Sequence, residues 1–215
     1  MNNRSGVIHR IGHFLIAAFA IVGLTQSAAY AQAVAPDALV KSVSDDVLSI
    51  VKSDRDIQKG DSRKILDLVE AKVLPHFDFT RMTRLAMGAA WRRATPEQQK
   101  QLVDEFRILL VRTYSSGLSN YRDQTIEYKP LRAPANAEEV VVHSEVKQSG
   151  AQPVPIDYSM AKTPDSWKVY DVAIGGVSLV TTYRDTFATA VRESGVDGLI
   201  KSLAAPNRQV ASKRS

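Results

Sequence analysis

The sequence predicts an α+β domain in which several amphipathic helices wrap an antiparallel four-stranded sheet. Apolar residues recur with the 3.6-residue period of a helix up to about residue 117, and again after residue 176. Between residues 125 and 174 the period changes to two, and turn-forming residues separate four successive runs. Short connections between consecutive strands favour an antiparallel meander, with the helices on its apolar face.

Four helices are predicted before the strands. The first begins near Pro36 and closes by Gly60, and the second runs over residues 61–74 until Pro75 stops it. A third reaches about residue 91. Each carries an apolar stripe, so each is expected to pack one side against the core.

The fourth helix has the clearest start signal. Thr95 suits the N-cap, Pro96 suits the first helical position, and Gln98 completes a capping box. After the strands the helical period returns as far as Gly195, and a last short helix is expected to end before Pro206.

Residues 1–33 have the three parts of a secretory signal peptide. A basic start that includes Arg4 precedes an apolar run at 11–24, and small residues offer cleavage near Ala31 or Ala33. The apolar run is shorter than the roughly 20 residues that a membrane span needs, so a transmembrane anchor is disfavoured. The sequence therefore predicts export to the periplasm.

The remaining chain is expected to form one domain, residues 34–205, followed by a basic, disordered tail at 206–215. The formal charge of +5 falls to +3 without the two arginines of residues 1–33, and three basic residues of the tail make up that remainder. A near-neutral domain lacks the electrostatic footprint of a nucleic-acid binder. There are no cysteines, which excludes disulfides and thiolate metal sites.

Little in the sequence points to catalysis. Only His76 and His143 remain after the signal segment, whereas a zinc site needs three or four ligands. His143 and Asp157 suggest a serine-hydrolase pair, but no G-x-S-x-G elbow is present, and His143 is interpreted as an exposed strand residue. The chain is predicted not to be an enzyme and to need no cofactor or metal.

Two long segments resemble a known family. One spans residues 167–179 and continues to Tyr183 and Phe187; the other spans 77–82 and leads into the capping box of the fourth helix. Both are similar to the hallmark segments of the MlaC (Ttg2D, toluene tolerance) family, and the likeness runs over about residues 36–203.

The resemblance implies a periplasmic phospholipid carrier with an NTF2-like fold and an apolar pocket between sheet and helices. In this family the acyl chains lie in the pocket as cargo and the headgroup faces solvent. Lipid is exchanged with an inner-membrane ABC transporter containing an MCE protein and with an outer-membrane lipoprotein–porin complex, which maintains the lipid asymmetry of the outer membrane. A monomer is expected, and nucleic acid is not expected as a partner.

Fourteen apolar or aromatic residues are candidates for the pocket wall, although the same pattern also fits a filled core. They come from the fourth helix, the apolar strand face and the hallmark segment: Phe106, Leu110, Tyr114, Ile126, Tyr128, Val142, Val146, Ile156, Tyr158, Met160, Trp167, Val169, Tyr183 and Phe187. Tyr183 and Phe187 are expected to gate the pocket.

A further expectation concerns two charged groups. Asp171 and Arg184 are expected to form a structural ion pair.

Three alternatives to a phospholipid carrier are left open. They are a hopanoid-associated branch of the same family, an exported hydrolase of unknown substrate, and an interaction module whose core is full.

Overall fold

The structure, a computed structural model, describes residues 34–121, 123–134 and 136–212. The predicted signal peptide lies outside the described residues. The helices are α1 (Pro36–Ser53), α2 (Arg55–Gln58), α3 (Ser62–Lys72), α4 (Phe79–Met87), α5 (Pro96–Tyr114) and α6 (Leu179–Ser212). The strands are β1 (Thr125–Tyr128), β2 (Glu139–Lys147), β3 (Val154–Lys162), β4 (Trp167–Ile174) and β5 (Val177–Ser178). Short 3-10 helices span Leu74–His76, Gly88–Arg93 and Ser115–Asn120.

The predicted α+β class is confirmed, and the sheet is an antiparallel meander in the order β1-β2-β3-β4-β5. It has five strands rather than the predicted four. Gly175 and Gly176 adopt φ of 60° and 82°, and the turn that they form brings Val177 back beside Ile174. A two-residue strand is too short to show a period, which is why the sequence pattern missed β5.

The capping box that was predicted for the fourth helix is present at the start of α5. The Thr95 hydroxyl accepts from the Gln98 backbone N–H at 3.2 Å, and the Gln98 amide oxygen accepts from the Thr95 N–H at 2.9 Å. The first predicted helix is divided instead. Asp54 accepts from the N–H groups of Asp56 (2.8 Å) and Ile57 (3.2 Å), so it starts α2 immediately after α1 ends.

The C-terminal region requires a correction, because the expected disordered tail from residue 206 is helical as far as α6 is described. The helix breaks at Gly195, where φ is 71°, and then continues through Pro206 to Ser212. Asn207 is buried, and its amide donates to the backbone carbonyl (3.2 Å) and the carboxylate of Glu105 on α5. This long-range contact, which local composition cannot reveal, holds the segment against the domain.

Two apolar clusters hold the domain together. The larger one joins the inner sheet face to α4, α5 and α6, with Phe106, Val142 and Phe187 almost completely buried in it. The smaller one joins α1, α2 and α3 through residues such as Val51 and Ile57. Within the described part of the chain, no helix is both long and apolar enough to cross a bilayer.

Candidate binding site

Two apolar cavities lie between the sheet and the helices. Cavity A, about 260 Å³, is lined by Val69, Val73, Leu74, Phe77, Phe79, Met82, Leu110, Val111, Tyr114, Ser115, Leu118, Ile156, Tyr158, Val172, Ile174 and Leu179. Cavity B, about 200 Å³, is lined by Leu39, Val40, Val43, Ser44, Val47, Leu48, Val73, His76, Phe77, Leu118, Ile126, Tyr158, Met160 and Val169. An engineered apolar cavity of about 150 Å³ stays free of water and binds benzene, and cavities A and B are both larger than that. Both spaces are therefore suited to apolar ligands.

The two cavities are neighbours with a common wall. Val73, Phe77, Leu118 and Tyr158 line both of them. Cavity A extends from this wall towards α5 and the ends of β3 and β4, whereas cavity B lies under α1. The arrangement offers two adjoining apolar compartments rather than one round chamber.

The titratable groups of the walls favour their neutral forms. Burial raises the pKa of Tyr158 to about 12, with a further contribution from nearby Tyr128. Burial also raises the pKa of Tyr114, and it lowers the pKa of His76 together with the neighbouring Lys168 ammonium. No Asp, Glu, Lys or Arg lines either cavity among the described residues. The compartments therefore present uncharged surfaces at neutral pH.

The structure brings half of the fourteen predicted wall residues to these cavities. They are Leu110, Tyr114, Ile126, Ile156, Tyr158, Met160 and Val169. The others lie outside the walls of cavities A and B: Phe106, Tyr128, Val142, Val146, Trp167, Tyr183 and Phe187.

Three of the outlying residues form an aromatic cluster in the core. The ring of Phe106 meets those of Tyr183 and Phe187 edge-on, each at 5.1 Å between centroids. Phe106 is 0% exposed and Phe187 is 1% exposed. Tyr183 and Phe187 were predicted to gate the pocket. In this conformation their rings contact Phe106 and so join α6 to α5.

Sequence reasoning missed most of the helical part of the walls, although it included Leu110 and Tyr114 of α5. The α1 residues Leu39, Val43 and Val47 form a visible apolar stripe, but periodicity does not tell whether such a stripe meets atoms or a cavity. Phe77 and Phe79, which stack at 5.7 Å between ring centroids, lie in a hallmark segment and were not assigned to the pocket.

The expected ion pair between Asp171 and Arg184 does not form. Asp171 accepts hydrogen bonds from the Ser178 hydroxyl and the Val180 backbone N–H. Arg184 donates from Nε to the carbonyl of Leu85 at 3.2 Å. Each group has a backbone partner instead. Ser178, the residue before α6, is the N-cap, and Asp171 accepts from one further N–H of the first turn.

The groups considered for catalysis lie away from the cavities. His143 and Asp157 do pair, at 2.7 Å between Nδ1 and Oδ1, but on the opposite sheet face from the inward Val142 and Tyr158. No serine hydroxyl bonds to His143 among the described residues. In the same ranges, no three His, Asp or Glu side chains come close enough to hold a metal ion.

Comparisons with known proteins agree with this geometry. The model of the family described as MlaC protein matches residues 41–205. The toluene tolerance protein ttg2D of Pseudomonas putida is 24% identical over 163 residues, 75% of each chain. The intermembrane phospholipid transport system binding protein MlaC of Haemophilus influenzae is 22% identical over 171 residues, 78% of this chain and 80% of that one.

A solved structure is also similar. It is a phospholipid-binding protein from Ralstonia solanacearum in complex with a phospholipid, 46% identical in sequence, with a TM-score of 0.76. The match covers 81% of the present chain and 98% of the Ralstonia chain.

Proposed function

Since the chain belongs to the MlaC family, we propose that it is a periplasmic phospholipid carrier that shields acyl chains in cavities A and B. The observation that carries this proposal is the pair of adjoining apolar cavities, which share a wall and contain no charged lining residue among those described. Two compartments suit a lipid with two acyl chains. The relative from Ralstonia solanacearum, 46% identical, was solved with a phospholipid, which supports the same ligand class here.

The energetics explain why a carrier is needed. Each buried CH₂ contributes roughly 0.8 kcal/mol, so two chains of about 16 carbons amount to on the order of 25 kcal/mol. A free lipid therefore leaves a bilayer for water extremely rarely. A protein that offers its own apolar walls lowers this barrier through burial alone, without any catalytic group. The carrier is accordingly proposed not to be an enzyme.

Delivery requires docking at both membranes. By analogy with the family, the proposed partners are an inner-membrane ABC transporter containing an MCE protein and an outer-membrane lipoprotein–porin complex, in a pathway that maintains outer-membrane asymmetry. The predicted signal segment at residues 1–33 supports a location between the two membranes. A monomeric carrier is proposed.

Native mass spectrometry of protein purified from the periplasm tests the proposal. We expect an adduct of phospholipid mass that disappears after delipidation, and extraction should yield intact phospholipid in about stoichiometric amount. A bare protein peak, under conditions in which a known lipid carrier keeps its cargo, would contradict the carrier function.

The same preparation separates the alternatives. Extraction of a hopanoid instead of a phospholipid would assign the chain to the hopanoid-associated branch of the family. Release of fatty acid or headgroup on incubation with phospholipid would favour a hydrolase. Stable protein that takes up no lipid at all would favour an interaction module.

A further inference from the structure

A charged groove lies outside the stacked pair Phe77 and Phe79. It measures about 500 Å³, and its lining residues include both phenylalanines, two acidic residues (Asp78 and Asp104) and two basic residues (Arg107 and Lys168). Charged walls distinguish this groove from cavities A and B.

The two carboxylates of the groove already have partners. Asp78 accepts from the Arg81 backbone N–H at 2.8 Å and so caps α4, where the helix dipole also offsets its charge. Asp104 pairs with Lys100 at 2.9 Å. Their negative charges are thus partly balanced by groups of their own helices.

The cations, in contrast, have capacity for a ligand. Arg107 is partly buried and makes no hydrogen bond or ion pair with any described residue. The Lys168 ammonium donates to the Pro75 carbonyl and has two further N–H groups. Burial is the main cause of the lowered pKa of His76, and the positive charge of Lys168 is the second cause. The electrostatic potential on this side of the wall is therefore positive.

The position of the groove relates it to the lipid cavities. Phe77 borders the groove and both cavities, and Phe79 borders the groove and cavity A. Phe77 therefore borders three spaces: two apolar compartments and one charged groove. A glycerophospholipid has the same plan, because two acyl chains and one anionic phosphodiester join at a single glycerol.

We propose that the groove binds the phosphodiester of the cargo lipid through Arg107 and Lys168. This inference rests on the proposed carrier function, because the chains must occupy the cavities for the phosphate to reach the groove. The planar guanidinium of Arg107 offers paired N–H donors that match two phosphate oxygens, and Lys168 adds a point charge. The site recognises the phosphodiester, which is common to all glycerophospholipids, and does not recognise the alcohol that is esterified to the phosphate.

The test compares three probes on delipidated full-length mature protein: phosphatidylglycerol, diacylglycerol with the same chains, and inorganic phosphate. We expect the wild type to bind phosphatidylglycerol about tenfold to a hundredfold more tightly than diacylglycerol, the range for hydrogen bonds to charged groups. The double variant Arg107→Gln, Lys168→Gln should lose this preference and keep the wild-type affinity for diacylglycerol. The retained affinity would also show that the variant folds.

A matched double variant, Arg93→Gln with Lys162→Gln, removes two exposed cations outside the groove and should keep the preference. Equal binding of the two lipids by the wild type, or an unchanged preference in the groove variant, would overturn the inference alone. Failure of the wild type to bind either lipid would overturn the carrier function as well. Inorganic phosphate alone should bind far more weakly than the lipid. Tight binding of free phosphate to the groove that leaves the preference for phosphatidylglycerol unchanged would assign the groove to free phosphate and overturn the assignment to the headgroup.

Discussion

The carboxylate of Asp171 on β4 accepts a hydrogen bond from the backbone N–H of Val180, in the first turn of α6, at 3.1 Å. It also accepts from the hydroxyl of Ser178, whose oxygen in turn accepts from the Thr181 N–H at 3.0 Å. One side chain thus fixes the point at which the sheet ends and the last helix begins. Since Leu179 lines cavity A, this joint also positions part of the cavity wall.

Replacing Asp171 with alanine should destabilise the protein. The variant loses the acceptor of the Val180 N–H while the Ser178 hydroxyl still accepts from Thr181, and loss of a capping hydrogen bond costs about 1 kcal/mol, within a range of roughly 0.5–2 kcal/mol. Chemical denaturation should show the lower free energy of unfolding. Asp171→Asn keeps an acceptor oxygen and should recover part of the loss, whereas Asp165→Ala, at an exposed turn, should change little. Equal stabilities of Asp171→Ala and Asp165→Ala would refute the capping role.

A second prediction concerns pH and the outer sheet face. Lys147 and Lys129 hydrogen-bond Glu127 and lower its pKa to about 2, from the ordinary 4.5. Because the folded pKa is depressed, the stabilisation is complete above about pH 4.5 and is lost as the pH falls towards 2. The difference in unfolding free energy between the wild type and Glu127→Gln should therefore be constant from pH 7 to 5 and shrink below that. The stability curve against pH, measured by denaturation, checks this.

Salt and position provide the controls for that experiment. The pair is exposed, so about 1 M NaCl should reduce the effect of Glu127→Gln at pH 7. Glu138→Gln, at an exposed position whose side chain makes no hydrogen bond in the described structure, should show no such pH dependence. A difference that grows on acidification would contradict the assignment.

The fold was predictable where its signals are local. The Thr95 capping box and the alternation along β2 depend on residues close in sequence, and both are found as expected, whereas burial along β3 does not alternate. The tail was not predictable, because the burial of Asn207 depends on Glu105, 102 residues earlier. The hydrogen bond from Arg184 to the Leu85 carbonyl was not predictable either, because the two residues are 99 positions apart in the sequence.

The sequence predicted which face of the sheet is apolar, but not which residues of that face line a cavity. Val142 and Ile156 both point inward on neighbouring strands, and alternation assigns them alike. Val142 is 1% exposed within the filled core, whereas Ile156 lines cavity A. What separates them is the volume of the side chains opposite, supplied by distant helices, and a period of two carries no information about that.

The break in α6 depends on a glycine backbone. Gly195 has φ of 71° and ψ of −179°, a region that is essentially restricted to glycine. Gly195→Ala should lower the free energy of unfolding by about 1–3 kcal/mol, as measured by chemical denaturation. Gly117→Ala is the matched control, because Gly117 has no positive φ and an added Cβ meets nothing within 4 Å. If both variants are equally stable, Gly195 is not strained for other residues.

Filling a cavity should separate lipid binding from stability. Ile156→Trp places a larger side chain on the wall of cavity A, where space exists, so we expect loss of bound lipid with little change in the free energy of unfolding. Val142→Trp introduces the same residue on the same sheet face but into packed surroundings, and overpacking costs about 1–3 kcal/mol. Native mass spectrometry measures lipid retention and denaturation measures stability for both variants. Full lipid retention by a stable Ile156→Trp would show that cavity A holds no acyl chain, because a filled compartment cannot also contain cargo.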